Sequence, residues 1–338
     1  MRPTAPLILL TVLQGLAWGL IATVAWWLPS ATASQLGFLT DLERLGSLLA
    51  AAGGVASFFH MHRPQAARYI LRRLGTSWLS REALTTGLFV AVLTAVAWTV
   101  GAQGPGSEAG AIVSAGLGTV AVGVTALLYA TIPAMRSWHS PVTVLALMGT
   151  GLVSGEALAL GLAAVGPGAS LGRLGAPWLL AGILGLTLVK GLQLHQFQLA
   201  RDFPTGEGAS GLPRGPWRLQ DTGTSRPPYR TQPQVWPLLP HGVRVAGYTT
   251  VGLTLLALPA AGALAAVAHH GALAALGGIS AAVGAVAERW MFFADATHSS
   301  RIWFQDVPRA PSRVAGPTAS PEWVREFLAA VPPASDRD

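Results

Sequence analysis

The sequence predicts an all-α integral membrane protein, a bundle of eight transmembrane helices. Three observations carry that prediction. First, of 338 residues 51% are hydrophobic and only 11% charged, with a mean hydropathy of +0.48, whereas a soluble domain carries about 25% charged residues. Second, eight apolar runs approach or exceed the roughly 20 residues that a bilayer core requires. Third, the basic residues fall almost entirely between those runs.

The runs lie at about 6–28, 42–60, 83–101, 111–133, 142–165, 177–198, 244–267 and 272–297. The first follows a single arginine, Arg2. It is longer than a signal-peptide core and lacks a small-residue cleavage site, so an uncleaved first helix is expected. Small residues recur, as in Gly116-Leu117-Gly118 and Gly182-Ile183-Leu184-Gly185, which lets membrane helices approach closely. The twelve tryptophans suit interfacial belts. Residues 1–300 thus read as one transmembrane domain, with a Pro/Gly/Arg-rich loop at 201–243 that lacks apolar periodicity. Residues 301–338 read as a tail. Within it, Ser320-Pro321-Glu322-Trp323-Val324-Arg325-Glu326-Phe327-Leu328 has a serine N-cap and proline at N1. A short amphipathic helix is expected there, docked on the membrane or on a partner.

Charge sets the orientation. With eight spans, both termini and the loops after helices 2, 4 and 6 share one face, here face A. Face A carries 18 of the 22 basic residues: Arg2, five from Arg63 to Arg81, Arg136, six from Arg201 to Arg244, and five from Arg301 to Arg337. The opposite face, B, carries Arg44 and Arg173, and Lys190 and Arg289 lie within spans. The positive-inside rule makes face A cytoplasmic and the location the cytoplasmic (inner) membrane. The high isoelectric point therefore reports membrane topology and acidic partners rather than nucleic-acid binding.

The chain has no cysteine. That excludes disulfides, cysteine-ligated iron–sulfur clusters and covalent c-type haem on this chain. Six of the eight histidines sit at or near face A, and no two are at matching mid-membrane depth, so no haem and no other metal site is expected. No P-loop or GxSxG motif is present.

The densest chemistry lies at 60–82, HMHRPQAARYILRRLGTSWLSRE. His60 closes one run and Glu82 opens the next, both at face A. A histidine and a carboxylate there form a proton-exchanging pair within reach of a lipid-soluble quinol. Spacing alone also permits an ordinary loop, with arginines set by topology and His60 bonding a helix end. Within the spans, ionisable residues are costly and mark function or structural pairing. They are Glu156, Lys190, Glu288, Arg289 and Asp295. Lys190 and Glu288 fall at similar depth and are expected to pair. Glu156 reads either as a hydrogen-bonded protonated carboxyl or as a step in a proton path from face B. Asp295 and His298, one turn apart, are expected to join the His60–Glu82 site.

Two segments resemble a known family. His60-Met61-His62-Arg63-Pro64, followed by Ser77-Trp78-Leu79-Ser80-Arg81-Glu82, resembles the quinone-site segment of DmsC-type membrane anchors of molybdoenzymes. It departs from the family pattern at Met61 and His62, where leucine and glycine are usual. Glu288-Arg289-Trp290-Met291-Phe292-Phe293-Ala294-Asp295-Ala296-Thr297-His298 resembles the last helix of the sulfite-oxidising branch. The resemblance spans residues 5 to 300. It implies proton exchange with quinone at His60 and Glu82, with His62, Arg63, Trp78, Arg81, Asp295 and His298 as further quinone-binding candidates. It also implies a ubiquinone or menaquinone substrate, an iron–sulfur electron-transfer partner and a molybdopterin catalytic partner. Sulfite oxidation is the leading expectation, and menaquinol-dependent reduction of a sulfoxide or N-oxide the alternative. A secondary transporter and a purely structural anchor are the readings from other classes.

Overall fold

The computed structural model describes residues 4–59, 69–70, 72–200 and 239–296. Regular structure among them is entirely helical. The long helices are α1 (Ala5–Trp27), α2 (Leu36–Phe58), α3 (Trp78–Val100), α4 (Ser107–Ala130), α5 (Pro141–Ala164), α6 (Ala169–Ala200), α7 (His241–Val267) and α8 (Gly271–Ala294). Seven of them are long and apolar enough to cross a bilayer. α2 is as long as α1 but carries Asp41, Glu43 and Arg44 in its first third, which lowers its apolarity.

Local chemistry explains the helix starts. Ser140 accepts a hydrogen bond from the Val142 amide at 3.2 Å, with Pro141 opening α5. Ser77 caps α3 by accepting from Ser80 N at 3.3 Å. This corrects the sequence reading, which started the span at 83 and put Glu82 in its first turn. Glu82 lies one turn further in. α6 also begins about two turns earlier than its apolar run, so Arg173 sits on the helix and Pro177 inside it. A membrane helix tolerates the lost proline N–H when neighbouring packing covers the gap.

The bundle is two similarly wired halves. In the first, α1 packs on α2, α3 on α4, and α1 on α4. In the second, α5 packs on α6, α7 on α8, and α5 on α8. Helices α1 and α5 join the halves at bare backbone. A Cβ on Gly19 would sit 2.4 Å from the Gly151 carbonyl oxygen, and one on Gly155 2.5 Å from Leu20 N. The spacings Gly15-x3-Gly19 and Gly151-x3-Gly155 supply that close approach. Gly262 and Gly277 do the same between α7 and α8, and Gly278 meets the Ala157 carbonyl between α8 and α5.

The third helix of each half contains a π-turn, Val96–Val100 in α3 and Leu253–Ala257 in α7. Toward face A an aromatic cluster fills the middle of the bundle. Trp138 stacks on Phe292 at 5.0 Å and donates from Nε1 to the Phe292 carbonyl at 3.1 Å, while Tyr129 meets Phe292 and Phe293 edge-on.

Candidate quinone site

A groove of about 440 Å³ runs between α2 and α3, with Leu10 of α1 at its floor. Its walls are apolar, and its rims, Val55, Phe58 and Leu79, are exposed. On a membrane helix such a rim meets lipid. Glu82 and Thr86 are its polar lining on α3, and Ser57 on α2. The Glu82 side chain is buried, and its Oε1 accepts from Thr125 Oγ1 of α4 at 2.9 Å. One turn along, Thr86 Oγ1 accepts from Gln14 Nε2 of α1 at 2.9 Å. A membrane-facing apolar slot with one carboxyl held by a neutral hydroxyl can bind a flat lipid-soluble ring and exchange a proton with it.

The remaining predicted residues fall into groups. His60, His62, Arg63 and His298 lie outside the described residues, as does the 301–338 tail. Arg81 donates from Nε to Leu74 O and from Nη2 to Gly75 O, both at 2.8 Å, and lies 4.5 Å from the Trp78 ring. Arg81 and Trp78 brace the loop onto the start of α3, each next in sequence to a groove-lining residue, Glu82 and Leu79. Asp295, expected to join Glu82, instead accepts a hydrogen bond from Tyr248 of α7 and does not line the groove. The reason is positional: α8 ends against α7, in the other half. Glu156 sits where α5 faces α6, with Oε2 near Gly182. The expected hydrogen bond to its carboxyl has no partner among the described residues.

Lys190 and Glu288 pair across the bundle at 2.5 Å, and Lys190 also donates to Gln193 Oε1 at 3.0 Å. Arg289 lies 3.5 Å from Glu288 Oε2 and faces Phe292. It also borders a pocket of about 10 Å³ shared with Thr11, Gln14 and Thr125. Gln14 Oε1 and Arg289 Nε and Nη1 meet no partner among the described residues. The volume is roughly that of one water.

Sequence reasoning passed over Gln14, Thr86 and Thr125. A lone amide in the most apolar run was the available signal for Gln14. The threonines carried no signal, because threonine commonly bonds its own helix. Glu43 was also missed. It is fully buried on α2, with neither carboxyl oxygen partnered among the described residues.

The model of the DMSO reductase anchor subunit family (DmsC) matches residues 1–196, which hold α1 to α5, most of α6 and the whole α2–α3 groove. A sulfite dehydrogenase subunit from Allochromatium vinosum is 34% identical over 182 residues, 47% of this chain. The match takes in 54% of that relative's length. With more than half of its length matched by the family's own pattern, the chain belongs to the DmsC family of membrane anchor subunits.

Proposed function

We propose that this chain is the quinone-reactive anchor of a molybdenum-dependent sulfite-oxidising complex. The observation that carries the reading is the α2–α3 groove, apolar, facing lipid and containing Glu82 with a neutral partner. The relative's name supplies the sulfite reading. All eight helices, α2 included, span the inner membrane, since Gly46 packs on α1 near Leu20 and Gly53 near Leu10, antiparallel through its full depth. Both termini and the loop holding His60 are cytoplasmic. A reporter fused at Ser335 that is active only in the periplasm would overturn this.

On a partner subunit, sulfite and water give sulfate, two protons and two electrons. A second partner carrying iron–sulfur clusters would supply the electrons at the groove. There a quinone takes two electrons and two protons and leaves as quinol. This chain's residues handle the protons: Glu82 gives one to a ring oxygen and recovers it from the cytoplasmic face, and His60 serves the other oxygen. Thr125 holds the Glu82 carboxyl by its hydrogen bond from α4. The basic loops at 63–81 and 201–244 orient the soluble subunits. The tail after residue 300 docks on them or on the membrane.

The test is sulfite-dependent reduction of decylubiquinone in membranes with and without this chain. Loss of quinone reduction with sulfite-to-dye activity kept is the expected result. Normal sulfite oxidation together with loss of sulfoxide respiration would favour the opposite electron flow, from menaquinol to a sulfoxide or N-oxide.

A further inference from the structure

A second membrane-depth cavity, of about 110 Å³, lies between α6, α7 and α8. Its cause is visible in α7. Leu258–Val267 packs on α6, but beyond the π-turn at Leu253–Ala257 the segment His241–Gly252 scarcely touches it. The two helices part toward face A, over a floor made by α8. A π-turn inside an α-helix commonly marks such a functional departure.

The cavity's chemistry is specific. Phe197, Tyr248 and Phe292 give it aromatic walls. Gln193 is buried, lines the cavity, and its Nε2 meets no acceptor among the described residues. Lys190 and Glu288 line it as a pair, so the wall is neutral in sum, and the lysine keeps donor capacity beyond its two bonds. Arg289 does not line it. Lys190 stands ten residues before the end of α6, about 15 Å down the helix, below the level of lipid phosphates. An apolar cavity of roughly 150 Å³ accommodates benzene, so at about 110 Å³ this one takes part of a quinone ring, and the remainder of the molecule has to lie in the gap between α6 and α7.

We propose that the α6–α7–α8 cavity binds a second quinone, with one ring carbonyl accepting from Gln193 Nε2 and Lys190. An uncharged carbonyl suits a wall whose cation is already paired, and the buried amide N–H supplies the unspent donor. The site shares no lining residue with the α2–α3 groove, so it stands or falls separately from the proposed function.

Two glycines make the test clean. Gly252 lines this cavity and Gly87 lines the first groove, and a Cβ on either meets nothing within 4 Å. Leucine therefore fits each helix and fills each space. Purified complex in lipid nanodiscs is extracted for bound quinone and photolabelled with an azidoquinone. Gly252→Leu is expected to remove about one quinone per complex and the label on α6–α8 peptides, and to leave the label on α2 and α3. Gly87→Leu is expected to do the reverse. Gln193→Leu is expected to weaken labelling at α6–α8 about tenfold. Unchanged quinone content and labelling in Gly252→Leu would overturn the proposal. So would loss of a bound phospholipid, read by native mass spectrometry, with quinone retained. A null result in Gly87→Leu alone would count against the first groove and not the second.

Discussion

The two grooves share a layout and differ in one electrostatic detail. Each lies between the second and third helices of its half, and each contains a buried glutamate. Glu82 is held by a threonine hydroxyl, whereas Glu288 is held by the Lys190 ammonium at 2.5 Å and lies near Arg289. A carboxyl with a neutral partner gains or loses a proton without breaking an ion pair. Glu288 would have to leave a lysine uncompensated in the membrane interior, which costs several kcal/mol. On the proposed function, the pairing, rather than the burial the two share, would separate a proton-exchanging carboxyl from a fixed binding wall.

The largest effect should come from Glu82→Gln. Sulfite-to-quinone turnover is expected to fall about 10²-fold or more, with sulfite-to-dye activity kept. The double variant Lys190→Met with Glu288→Gln should hold turnover within a few-fold. Equal losses in the two variants would erase the distinction between the grooves.

Next in size is Glu288→Gln alone. It leaves Lys190 buried without its anion, a loss of about 3–5 kcal/mol. Thermal denaturation of the purified anchor should show a marked drop, and Glu82→Gln should show little change. If both shift alike, Glu82 is also structurally paired.

The smallest effect belongs to Thr125→Val. It keeps the shape and removes the hydroxyl that Glu82 accepts from, worth about 1 kcal/mol. A few-fold loss of quinone turnover with unchanged unfolding would fit a positioning role. Turnover equal to wild type would show that Glu82 is oriented without Thr125.

Much of this was legible in the sequence because membrane constraints are strong. Apolar run length placed every helix, but α2, α3 and α6 begin five to eight residues before their runs, because polar residues in their first turns mask the starts. The Lys190–Glu288 pairing was readable because two costly charges at equal depth need each other. Asp295 does not line the described groove because depth along a helix does not say which way the helix faces. Tyr248, its partner, is a single tyrosine in a helix of ordinary composition. Thr86 and Thr125 were silent for the same reason: hydroxyls carry little sequence signal until packing aims them across the bundle.

The contact between Gly15, Gly19, Gly151 and Gly155 has a consequence for how the chain is made. α1 is mostly buried, and part of what covers it is α5. A ribosome delivers α1 more than a hundred residues before α5 is complete. Throughout that interval the glycine face of α1, with Gln14 one position before Gly15, has no α5 to close on. The first four helices must therefore hold an arrangement in the bilayer until α5 arrives. That order favours an intermediate in which α1 to α4 wait as a unit, with an uncovered seam that a chaperone or insertase can occupy.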